Sequence, residues 1–186
     1  GRSDTLNIIF CASSFKNWHG LDRILSGAQS YFGKTKVVLN LAGDISSEIE
    51  SSITKINQSD SHIEVKYHGV LKWNNLLDLT GTMDLGVDSL GLHRLGICSG
   101  STLKSKEYAA LGIPFIYSAE DVDFKDLNED CLFRVSQDDL PVNFDDFVCW
   151  FNQIEPEIIS KRLRDYSKNN FTWEKKIDGL VHWLYK

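Results

Sequence analysis

The feature that most constrains this chain is a regular alternation of short, wholly apolar runs with amphipathic ones. "LNIIFCAS" (6–13) and "KVVLNLAG" (36–43) are β-branched and uninterrupted, the pattern of strands buried on both faces. "LDRILSGAQSYF" (21–32) lies between them, with helical spacing at Leu21, Ile24, Leu25, Ala28 and Phe32. "SSEIESSITKIN" (46–57) has Ser46 or Ser47 to cap it and isoleucines at 49, 53 and 56. An alternating strand (62–69), a short helix (74–82) and a fourth strand (83–90) follow. A helix over Ser101–Leu111 then stops at Gly112, before the strand "PFIYS". A sixth strand is expected over 131–136, and helices over 144–154, 156–170 and 172–186, with Pro156 in a first turn. Strand, helix, strand at this spacing requires right-handed crossovers and a parallel sheet covered on both sides. The expected fold is therefore one Rossmann-like three-layer α/β/α sandwich with a mostly parallel sheet of about six strands. In such sheets ligands bind beyond the carboxyl ends of the strands.

Bulk properties remove several function classes. The net charge of -6 and pI of 5.3 argue against a nucleic-acid surface. No apolar run approaches the roughly 18 residues of a membrane span, and no signal-peptide pattern opens the chain. The first residues, "GRSDT", lack Met and lead almost directly into a strand, as expected of a piece of a longer protein. Cys11, Cys98, Cys131 and Cys149 form no CxxC pair and no metal-ligand spacing with histidine. Cys11 and Cys149 lie in apolar runs and are expected as reduced core residues of a cytoplasmic protein. Segment 120–146 carries ten Asp/Glu against Lys125 and Arg134, and reads as a solvated loop rather than a metal site. No GxGxxG or GxxxxGK[ST] occurs, which removes the nicotinamide dehydrogenase and P-loop readings. A receiver-type module needs acids after strand one, and "CASSFKNW" has none.

Three loops at the carboxyl edge hold the candidate site. "SSFKNWHG" offers Ser13, Ser14, Lys16, His19 and Gly20 ahead of a helix N-terminus, a phosphate cradle or else a surface turn around a buried Trp18. "YHGV" ends strand three, and its Gly69 and Val70 permit close approach of a ligand or form a plain turn. The third loop opens a helix with Ser101, Thr102, Lys104 and Lys106, and no acid before Glu107. Helix starts normally favour carboxylates, so added cations suit an external anion such as a diphosphate. Lys104 and Glu107 share a face, one able to hold phosphate while the other accepts from a ribose diol. The same two residues also fit a solvated pair worth about 0.3–0.5 kcal/mol.

"LKSKEYAALGIPFI" resembles the signature of the C-terminal, donor-binding domain of GT-B glycosyltransferases of the retaining family 4 type. "FCASSFKNWHGLDRIL", "VKYHGVLKWNNLLDLTGTMDLGVDSL" and "FTWEKKIDGLVHWLYK" resemble further parts of that domain, in order, over nearly all of the 186 residues. The resemblance implies one half of a GT-B fold, with the N-terminal acceptor domain absent. It implies transfer of a sugar, with retention, from a nucleoside diphosphate sugar to a saccharide or lipid-linked acceptor. No cofactor or metal is implied beyond the donor substrate, and no nucleic acid. The full protein is expected in the cytoplasm, with peripheral membrane association, in polysaccharide biosynthesis. Glu107 matches the second glutamate of the family's pair, implying ribose binding, while Ser99 stands where the first would fall. Lys104 and Lys16 fall near diphosphate-contacting basic residues, Gly100 and Ser101 near the phosphates, and Gly69 and Val70 where backbone groups hold the base. Lys104 and Glu107 are thus the expected catalytic pair, with the single domain inactive alone. The other reading is a non-catalytic or degenerate nucleotide-sugar-binding module.

Overall fold

A computed structural model of the chain describes residues 4–127, 129–175, 177 and 181. The sheet has six strands, all parallel, in the order β3-β2-β1-β4-β5-β6. These are β1 (Thr5–Ser14), β2 (Lys36–Asp44), β3 (Ile63–Tyr67), β4 (Leu85–Val87), β5 (Phe115–Tyr117) and β6 (Phe133–Arg134). Joining and covering them are the α-helices α1 (Leu21–Gln29), α2 (Ser47–Asn57), α3 (Trp73–Thr80), α4 (Leu103–Leu111), α5 (Phe144–Gln153) and α6 (Pro156–Asn170).

Alternation along the strands builds two cores. Leu6, Ile8 and Phe10 of β1, with Val37, Leu39 and Leu41 of β2, face α1, α2 and α5. Ile9 and Cys11, with Ala42 and Phe115, face α4 and α6 on the other side. The sheet's central strands are buried on both faces, which explains why β1 and β2 read as continuous apolar runs. Strand order reverses between β1 and β4, so the carboxyl edge splits there into a crevice.

Several expectations shift in detail. α1 ends at Gln29, so Phe32 lies past it and is 67% exposed, while Tyr31 turns into the core. α5 buries Phe144, Phe147, Val148 and Phe151, a stripe that leaves Cys149 on the outer face, exposed rather than in the core. Cys131 is buried instead. The acidic segment is not simply solvated: Asp138 pairs with buried Arg23 at 3.0 Å, Asp139 with Arg94 at 2.6 Å and Asp123 with Lys106 at 2.7 Å. Asp121 is buried and accepts from Ser105. The helix expected over 172–186 falls largely outside the described residues. No described helix is long and apolar enough to cross a membrane.

Candidate nucleotide-binding site

β1 delivers Ser13 to the carboxyl edge, and a short 3-10 turn at Asn17–His19 then carries His19 back over it. The Lys16 N–H donates to His19 Nδ1 at 2.9 Å. With that lone pair engaged, the neutral ring carries its proton on Nε2. Burial and the nearby Lys104 charge push the His19 pKa down to about 4, so the ring is uncharged at neutral pH. Gly20 leaves the turn at φ 71, and a Cβ there would come within 3.0 Å of Leu90 and Gly91. Its role is to pack this turn against the segment after β4 and begin α1.

α4 starts at the same edge. Thr102 caps it: its Oγ1 accepts from the Ser105 N–H at 3.2 Å and donates to Asp88 Oδ1 at 2.6 Å. The first-turn amides of Leu103 and Lys104 have no intrahelical acceptor. Lys104 Nζ donates to Ser89 Oγ at 3.0 Å, lies 4.0 Å from Asp88 Oδ1 and sits over the Phe10 ring at 5.7 Å. The helix start that lacks acids in sequence is therefore served by one in space, the 4% exposed Asp88 at the end of β4. Burial holds the Lys104 ammonium below its usual range, with Asp88 pulling the other way. Burial also raises the Glu107 carboxyl, opposed by Lys104. The Glu107 carboxylate makes no hydrogen bond among the described residues.

These groups meet in a cavity of about 550 Å3 at the carboxyl ends of β1 and β2. Ser13, His19, Thr102, Lys104 and Glu107 supply its polar lining, and Val70, Leu71, Trp73 and Leu76 an apolar wall. Volume and lining suit a small organic ligand with one charged end. Gly43 allows the β1 and β2 ends to close up, since a Cβ there would meet the Ala12 carbonyl at 1.9 Å.

Of the residues singled out in sequence, Ser13, His19, Val70, Thr102, Lys104 and Glu107 line this cavity. Ser14 donates to Asp44 and does not line it. Lys16 is exposed and outside it. Gly69, at φ 65, serves the turn, and its carbonyl accepts from the Gly43 N–H at 2.8 Å. Ser99 bridges to Glu120, and the Gly100 N–H donates to the Glu120 carbonyl at 2.9 Å, so that amide is already engaged. Ser101 Oγ accepts from Lys106, which turns to Asp123. Trp18 is 37% exposed rather than buried. Sequence reasoning passed over Asp88, Ser89 and Trp73, and read Cys11 as a core residue only, although it also lines the cavity. Polar residues straight after a buried apolar strand, as in "DLGVDS", were the available signal.

No family model matches the chain, and no curated protein does so closely enough to count. Solved structures match throughout. The catalytic domain of cholesterol-alpha-glucosyltransferase from Helicobacter pylori aligns at TM-score 0.64 and 16% identity, over 88% of this chain and 98% of that one. Anabaena Alr3699/HepE in complex with UDP aligns at TM-score 0.72 and 13% identity, over 98% of this chain and 49% of that one. A glycosyltransferase from Rickettsia africae aligns at 0.69 and 14%, over 97% and 47%. The fold is thus the one seen in a Rossmann-like half of GT-B glycosyltransferases, and the chain spans about half the length of HepE, of the Rickettsia africae glycosyltransferase and of WaaG.

Proposed function

We propose that this chain is the donor-binding domain of a retaining glycosyltransferase that uses a nucleoside diphosphate sugar. The observation that carries the reading is the convergence of Lys104, the free first-turn amides of α4 and Glu107 on one cavity at the carboxyl ends of β1 and β2. The Lys104 ammonium and the α4 amides receive the diphosphate. The Glu107 carboxylate accepts from the ribose hydroxyls, and the base lies toward Val70 and Trp73. His19 offers its Nε2–H to the diphosphate or sugar. As the bond to the sugar breaks, charge grows on the leaving diphosphate, and Lys104 with the helix N-terminus stabilises it more than the ground state. The acceptor, a saccharide or lipid-linked saccharide, comes from the side of a second, N-terminal domain, which also completes catalysis. The full enzyme works at the cytoplasmic side of a membrane.

A second reading, a nucleotide-sugar-binding module without catalysis, is favoured by Ser99, whose place in the fold is a backbone bridge to Glu120. Calorimetric titration of UDP, GDP and ADP tests what both readings share. At least one is expected to bind, and Lys104→Ala to weaken it roughly 10–100-fold, the worth of a charge-assisted hydrogen bond. No binding by any of the three, or full affinity in Lys104→Ala, overturns the nucleotide site. Sugar transfer by the chain joined to its N-terminal half separates enzyme from module.

A further inference from the structure

Charge balance in the cavity poses a problem for an anion. Among the described residues lining it, Lys104 is the only cation, and Glu107 is acidic. Lys106 is committed to Asp123, and Lys16 is exposed and does not line the cavity. His19 stays neutral at pH 7, because burial and the nearby Lys104 charge push its pKa down to about 4. Behind Lys104 lies Asp88, a second carboxylate, 4% exposed. With both acids ionised the site is net negative, and a diphosphate would enter against it.

Resting on the nucleotide reading above, we propose that Asp88 regulates the charge of this site: as a diphosphate docks on Lys104, Asp88 takes up one proton from solvent and is neutral in the complex. The proton adds to a carboxylate oxygen, and no other bond breaks. The Thr102 hydroxyl keeps donating to Oδ1 throughout.

The surroundings favour Asp88 over Glu107 as the acceptor of that proton. Glu107 is half-buried and open to the cavity, where its carboxylate serves a diol. Asp88 is enclosed. From α4 it faces Lys104, the Thr102 hydroxyl and the Tyr108 phenol; from β1, the Cys11 thiol; from the segment after β5, Asp121; and from its own chain, the Ser89 amide. Burial lifts its carboxyl above the ordinary range, and Lys104 is what chiefly restrains the rise. The restraint is loose, since Nζ is 4.0 Å from Oδ1 and bonded to Ser89. An anion that competes for Lys104 removes it and adds its own repulsion, and both effects favour the protonated form.

The test is UDP binding to the chain, measured by calorimetry in buffers of different ionisation heat across pH 6–8.5. Wild type is expected to take up close to one proton more per UDP than Asp88→Asn. Its affinity should fall by up to about tenfold per pH unit relative to that variant, as linkage requires. UDP's own titration is common to both proteins and cancels. Equal proton uptake in the two overturns the proposal while leaving the nucleotide site standing. If UDP, GDP and ADP all fail to bind wild type, the proposal falls together with the nucleotide reading beneath it. Should Asp88→Asn not fold, the carboxyl carbon resonance of Asp88 in wild type answers directly. It moves to the protonated position on adding UDP if the proposal holds, and stays in place if it fails.

Discussion

Lys104 and Glu107 stand three apart on one helix, and that spacing alone brings both to one cavity. Their roles separate by probe. Glu107→Gln is expected to weaken UDP about tenfold, by loss of a charged acceptor, and to leave inorganic pyrophosphate unaffected, whereas Lys104→Ala weakens both. Parallel titrations check this, and an equal loss for both ligands in Glu107→Gln removes the ribose role. His19 gives a pH prediction. Its folded pKa is lowered to about 4 against 6.5 for the free group, so the unfolded chain binds the extra proton between those values. Its contribution is whole above pH 6.5 and is lost as pH falls toward 4, by no more than about 2 kcal/mol, because the ring is partly open to screening solvent. Urea unfolding at pH 7 and pH 4.5 should show a smaller drop in His19→Gln than in wild type; an equal drop contradicts it. Asp88 shows where residue-level reading stops. The acid that serves the α4 start precedes it by a strand end and a loop, and only the sheet brings them together.

At the scale of elements, what was legible is what periodicity encodes. Every described strand and α-helix was anticipated within a few residues, because buried parallel strands and amphipathic helices each leave their own spacing, whereas the short 3-10 turns such as Asn17–His19 and Leu92–Leu95 fell in stretches read as loops. Losses came at ends and outer faces. Phe32 fits the α1 stripe by number, but the helix stops sooner; Cys149 sits among aromatics in sequence and opposite them on α5. β6 is two residues long, set by a single stretch of pairing with β5. Packing between elements is invisible to such reasoning, and Gly86 is the clearest case. A Cβ there would reach the Tyr108 ring at 2.7 Å, so the glycine sets how closely α4 lies on the sheet. Gly86→Ala is expected to cost about 1–3 kcal/mol and to weaken UDP binding by displacing α4. A denaturation midpoint unchanged from wild type would refute this.

For the whole molecule, the cavity opens at the carboxyl edge of a single sheet, and the chain spans about half the length of HepE and of the Rickettsia africae glycosyltransferase. The exposed Val70, Trp73 and Leu103 around it leave room for a second domain to close on a bound donor. The chain by itself is therefore expected to bind UDP and to release none from UDP-glucose, as a coupled assay for free UDP will show; turnover by the chain alone would mean that catalysis needs no second half. Most direct is a crystal structure of the chain grown with saturating UDP. The diphosphate should lie against the Leu103 and Lys104 amides within hydrogen-bond reach of Lys104 Nζ, with the ribose hydroxyls on Glu107. UDP bound elsewhere, or with its phosphates turned away from the start of α4, would contradict the assignment of this cavity.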